Sequence, residues 1–86
     1  MVYKCHIVTW KDGVIVYIKS KDNIYIGEIS FVTNISKLQL MNEIKNIRTY
    51  SNEVAIFIKK CIGLSQQFNI AAITIRLNSS DFKIML

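Results

Sequence analysis

The chain has 86 residues, 51% of them hydrophobic, and a formal net charge of +5. That length makes one domain, spanning 1–86, which buries only about 60–65% of the surface its unfolded form exposes. Its longest good apolar run, Val14 to Ile18, falls far short of the roughly 18 residues a transmembrane helix needs, and its positive field favours polyanions as partners.

Tyr3 to Trp10 reads as a strand, with Tyr3, Cys5, Ile7 and Thr9 on one side and Lys4, His6, Val8 and Trp10 on the other. Lys11-Asp12-Gly13 reads as a turn whose glycine supplies positive φ. Val14 to Lys19 is nearly continuous in β-branched and aromatic residues, the pattern of a strand buried on both faces. Lys21-Asp22-Asn23 is a second tight turn and Ile24 to Val32 a third strand. Turns this short demand antiparallel neighbours, so the three strands form a meander.

Ser36 with Gln39 resembles a capping box, and Leu40, Met41, Ile44 and Ile47 recur at helical spacing, which predicts a short helix over Lys37 to Arg48. A second helix follows. Ser51 is its expected cap, and Glu53 complements its positive end. Val54, Phe57, Ile58, Cys61, Ile62, Ser65 and Phe68 mark its apolar face, with Asn69 as a left-handed C-cap. Ile70 to Leu77 then reads as a strand with Ile73, Ile75 and Leu77 on one face. Asn78-Ser79-Ser80-Asp81 is turn chemistry, and Phe82 to Leu86 could close an edge strand. The expected architecture is α/β in the α+β sense. A three-stranded antiparallel meander is followed by one or two helices and a fourth strand. A right-handed crossover would set that strand parallel to a neighbour in a mixed sheet.

Cys5 and Cys61 lie in different elements without CxxC spacing, which indicates neither a disulfide framework nor a metal site. Cys5 and His6 are adjacent in a strand and point to opposite faces, so they do not form a ligand pair. Asp12, Asp22, Glu28, Glu43, Glu53 and Asp81 are scattered, and only Glu28 falls in an expected strand. A magnesium-dependent nuclease needs carboxylates clustered on adjacent strands. The residues therefore suggest no enzyme, no cofactor, no metal and no small-molecule substrate. The first residues have neither the apolar segment of a secretory signal nor the Arg- and Ser-rich character of a transit peptide. Nine lysines against two arginines, with no proline, match the usage of an AT-rich genome.

Several of these segments, taken together, resemble the universal small-subunit ribosomal protein number eleven. That family opens with a strand, a short turn, a strand rich in Val, Ile and Thr, and a strand ending in serine. The corresponding residues here are His6-Ile7-Val8-Thr9, Lys11-Asp12-Gly13, Val14 to Ile18 and Ile29-Ser30. Its helix, which passes into a Val-rich strand, is matched by Ser51 to Gln67, Asn69-Ile70 and Ile73 to Asn78. The family's Gly-Arg-rich loop, the helix after it and the basic tail have no counterpart, so the likeness is to a reduced, organellar-type member. The large-subunit protein number eighteen has a similar fold. The resemblance implies a ribonuclease-H-like topology and a structural role in the small subunit of a mitochondrial ribosome, encoded in the organelle. It implies rRNA and neighbouring ribosomal proteins as partners, and no membrane.

With RNA as partner, the candidate contacts are loop and surface cations, which reach phosphates without burying charge. Lys11 and Lys21 sit in the two hairpin turns, and Arg48 precedes the second helix. Lys59 and Lys60 lie on that helix's polar face, and Arg76 on the outward side of the fourth strand. Trp10 could stack on a base or cap the core edge. Tyr3, Tyr17 and Tyr25 read as sheet packing. The alternative function is a small protein-interaction or inhibitor module of an AT-rich virus or bacterium, using a strand edge or a patch around Trp10.

Overall fold

The computed structural model describes residues 2–34, 36–68 and 70–78. Strands β1 (Tyr3–Trp10), β2 (Gly13–Ser20) and β3 (Tyr25–Val32) form the meander. Helices α1 (Lys37–Tyr50) and α2 (Val54–Gln67) follow, then strand β4 (Ala72–Leu77). The four strands make one sheet in the order β1-β2-β3-β4, with every neighbouring pair antiparallel. The α+β class, the meander, two helices and a fourth strand are thus present. The parallel fourth strand of a mixed sheet is not: β4 runs antiparallel to β3, with Val32 opposite Ala72 and Gly27 opposite Leu77.

Counting traversals gives the reason. Trp10, Gly13, Val32 and Ala72 share one end of the sheet, and Tyr3 and Ser20 lie at the other. Helix α1 starts at the first end, where the Lys37 ammonium donates to the carbonyls of Trp10 and Lys11 at 2.8 Å each. It finishes at the other end, where the Tyr3 hydroxyl donates to the Ser51 carbonyl at 2.8 Å. Helix α2 then carries the chain back, and the Ala71 amide donates to the Val32 carbonyl at 2.9 Å. Two traversals return the chain to the end it left, so the next strand must run antiparallel. A single helix would have produced the parallel crossover. The lengths agree: fourteen helical residues span about 21 Å and eight strand residues about 25 Å.

One face of the sheet and the inner faces of both helices form the core. Val14, Val16 and Ile18 of β2 and Ile29 and Phe31 of β3 are fully buried beneath Leu40 and Ile44 of α1 and Phe57, Ile58 and Cys61 of α2. Tyr3 joins them, its ring 5.6 Å from that of Phe57 and tilted by 51°. Ile73, Ile75 and Leu77 of β4 pack on the same core, as their alternation predicts.

Several local expectations are corrected. No described glycine has positive φ. Gly13 instead opens β2 where a Cβ would lie 1.7 Å from the Phe31 carbonyl oxygen, so the requirement is close backbone approach. The left-handed turn residue is Asn23 (φ 69°), in a turn where the Ser20 hydroxyl accepts from the Asp22 and Ile24 amides at 3.2 Å each. Ser36 is the α1 N-cap, but in left-handed geometry with no side-chain cap bond, so no capping box forms. The N-cap of α2 is Glu53, and Ser51 is instead the buried C-cap of α1. Strand β2 is buried on one face only, since Ile15, Tyr17 and Lys19 are half-exposed. The expected Asn69 cap and Phe82–Leu86 strand lie outside the described residues.

Candidate nucleic-acid interface

Both helices lie on one side, and among the described residues no element covers the other face of the sheet. The strand registers arrange that face in four rows. Lys4 stands opposite Lys19, with Tyr25 next to it on β3. The second row is His6, Tyr17, Glu28 and Arg76, and the third is Val8, Ile15, Ser30 and Thr74. The last is Trp10, Gly13, Val32 and Ala72. Two tyrosines lie among the cations at one end of this surface, and the tryptophan stands at the other end. Among the described residues three side chains of this surface are formally positive and only Glu28 is negative.

Two shallow concavities mark this surface. Lys4, Cys5, His6, Lys19 and Asn23 line one of about 310 Å³. Like charges directly opposite in neighbouring strands destabilise a sheet by a few tenths to about 1 kcal/mol. The Lys4–Lys19 pair is therefore a position where a bound anion would relieve repulsion. The second concavity, of about 300 Å³, lies toward the other end. Trp10, Ile15 and Val32 form its apolar wall, and Glu28, Ser30, Thr74 and Arg76 its polar one. The Tyr25 hydroxyl donates to Glu28 Oε1 at 2.9 Å and fixes that carboxylate. Partial burial, and then this hydrogen bond, hold the Tyr25 phenol above its ordinary pKa. Arg76 stands opposite Glu28 in register but has no hydrogen bond or ion pair among the described residues.

Of the contact residues expected from sequence, the structure brings Arg76 and Trp10 into one concavity. Lys11 and Lys21 are exposed in turns at opposite ends of the sheet, and Lys59 and Lys60 are exposed on the outer surface of α2, away from the open face. Arg48 is turned inward. Its guanidinium lies 4.1 Å from the centre of the Tyr3 ring and donates to the carbonyls of Tyr3 and Ser51. These contacts join the end of α1 to the start of β1 and leave its fork less free for a phosphate. Burial pushes the Tyr3 phenol up to about 12 against the opposing pull of Arg48.

The cysteines carry no evident chemistry. Burial pushes the Cys5 thiol up to about 11, with Arg48 opposing, and raises the fully buried Cys61 thiol further. A thiol held protonated is a poor nucleophile. No three His, Cys, Asp or Glu side chains converge among the described residues, and no described helix is long and apolar enough to cross a membrane.

Sequence reasoning missed Lys4, His6, Lys19 and Glu28 as parts of one surface. The signal was present in the two-residue turn between Trp10 and Gly13. That turn fixes the register and sets Lys4 opposite Lys19. No family model, curated protein or solved structure matches this chain.

Proposed function

We propose that this protein is a non-catalytic RNA-binding component of a ribonucleoprotein, and that the open face of its sheet is the RNA contact surface. The observation that carries the reading is the Lys4–Lys19 pair, two cations set directly opposite each other beside His6 in a concavity. A phosphate seated there would neutralise both. Lys11, Lys21 and Arg76 extend the positive surface, and Trp10, Tyr17 and Tyr25 offer faces on which unpaired bases can stack. The resemblance noted above names the small ribosomal subunit as the particle, with a mitochondrial ribosome as the finer assignment. The antiparallel β4 departs from the topology which that resemblance implied, so the RNA reading rests on the surface alone.

A second reading has its own observation. Among the described residues β1 has no neighbour on its outer side, and eight residues of edge could accept a strand from a protein partner. Sedimentation of tagged protein from native extract, with and without EDTA, separates the two. Co-migration with a ribosomal subunit supports the ribosomal assignment. A ribonuclease-sensitive peak elsewhere keeps the RNA role but discards the ribosome. A ribonuclease-resistant protein complex favours the strand-edge module.

A further inference from the structure

Among the described residues Glu28 is the one carboxylate on the open face, and on a surface that binds RNA it would repel phosphates. Arg76 is opposite it in register, yet the two form no ion pair. The one described partner of Glu28 is the Tyr25 hydroxyl, which holds Oε1 and fixes the direction of the carboxylate. The group is half-exposed and lines the concavity whose apolar wall is Trp10, Ile15 and Val32. An oriented acceptor, an exposed planar cation and an aromatic wall therefore share one shallow recess.

Resting on the RNA reading above, we propose that this recess is a binding site for a single unpaired guanine in single-stranded RNA. Trp10 supplies the stacking surface, Glu28 accepts from the base edge, and Arg76 meets the backbone or the O6/N7 side. Stacking on an aromatic ring is available to every base and gives affinity without choice. The choice comes from the carboxylate, which only accepts hydrogen bonds and has two oxygens side by side. Guanine alone presents two adjacent donors, N1–H and the N2 amine. Adenine and cytosine each offer one amine flanked by an acceptor, and uracil offers one imide N–H. Arg76 can donate to the guanine O6 and N7, the commonest specific contact of an arginine with a base. The platform is held in advance. Lys37 ties the Trp10 carbonyl to α1, and the Thr33 amide donates to the Asp12 carbonyl in the adjoining turn. Lys4 and Lys19, six residues along the strand from the Trp10 row, lie about 20 Å away, so a short single strand could occupy both positions.

Trp10 is the sole tryptophan, so its fluorescence reports on this recess directly. The test uses the full chain and heptameric RNAs of uridine whose central nucleotide is guanosine, inosine, adenosine, cytidine or uridine. Affinity is read by anisotropy of a labelled RNA at several salt concentrations, alongside quenching of Trp10. The guanosine RNA is expected to bind roughly tenfold more tightly than the adenosine, cytidine or uridine RNAs, with inosine between them. Glu28→Gln should abolish the preference while strengthening binding of the all-uridine RNA severalfold, since a negative charge leaves a basic face. Damage to the fold would weaken both. Trp10→Phe should retain the guanine preference, whereas Trp10→Ala should weaken binding of every RNA. Equal affinities for all five RNAs, with steep salt dependence intact, would overturn the guanine site and leave the RNA reading standing. No salt-dependent binding to any of them would overturn both.

Discussion

The two faces of this one sheet are built by different rules, and its two arginines show how. On the covered face, Arg48 has its planar group against the Tyr3 ring and its donors on the Tyr3 and Ser51 carbonyls. On the open face, Arg76 has no hydrogen bond or ion pair among the described residues, acts on Tyr25 through its charge, and lines a concavity. The first position is specified by contact with the edge of the core, where a ring and two carbonyls hold the half-buried group. The second is specified by strand register, which decides what stands beside it but leaves its guanidinium exposed. Two residues of the same type can therefore carry opposite kinds of information, one about stability and one about binding.

The comparison breaks most easily at the core. Phe57→Ala removes a fully buried ring beside Tyr3 and should destabilise the chain by about 3–5 kcal/mol, read as a lower denaturant midpoint. Phe57 sits entirely on the covered side. If the loss were below about 1 kcal/mol, the helices would not be packed on the sheet as described. Arg48→Ala is expected to cost about 2 kcal/mol, because it deletes a cation–π contact and the guanidinium's donors to the Tyr3 and Ser51 carbonyls. The Ser51 carbonyl keeps its bond from the Tyr3 hydroxyl. The salt dependence of RNA binding should not move. A changed salt slope with unchanged stability would place Arg48 on the binding surface instead.

Alkaline titration sharpens the contrast more gently. Tyr3 and Cys5 face the core with pKa values of about 12 and 11, against ordinary values of 10.0 and 9.0. Cys61 is raised as well. Folding thus keeps these groups protonated where the unfolded chain would ionise, and stability falls as pH rises. Their contribution is fully present below pH 9, begins to fail there, and declines through 11 for Cys5 and 12 for Tyr3. Replacing both cysteines with alanine should flatten the first part of that decline in thermal melts recorded from pH 8 to 12.

Smaller effects test the finer points. The Ser51 hydroxyl is buried without a hydrogen-bond partner, so Ser51→Ala should raise stability by about 1 kcal/mol. A loss would mean that the hydroxyl is satisfied in solution. Smallest in stability is Arg76→Ala, expected to change unfolding by no more than about 0.5 kcal/mol. It should lower the salt slope of RNA binding by about one. An unchanged slope would remove Arg76 from the interface.

Much of the architecture was legible from residue order. The alternation of Tyr3, Cys5 and Ile7 against Lys4, His6 and Val8 gave β1 its two faces, and the 3.6-residue spacing of Val54, Phe57, Ile58 and Cys61 gave α2 its buried stripe. The caps were not legible in the same way. Ser36 and Ser51 have the right chemistry for helix starts, but backbone conformation decides whether a hydroxyl reaches an amide. Ser36 is left-handed, and Ser51 belongs to the turn that closes on Tyr3. The interface was half legible: Trp10 and Arg76 were marked by type, while Lys4, Lys19 and Glu28 passed as ordinary strand polar residues.

Sequence by itself determined the four described strands, the two helices, the buried sides of β1, β4 and α2, and the basic balance of the chain, because periodicity and charge are local properties. Only the tertiary structure decided the direction of β4 and the company kept on the open face. The first depends on both helices running the full length of the sheet, so that the chain returns to the end it left. The second depends on pairing across strands, which sets Lys4 against Lys19 and brings Trp10, Glu28 and Arg76 together across residues 10 to 76.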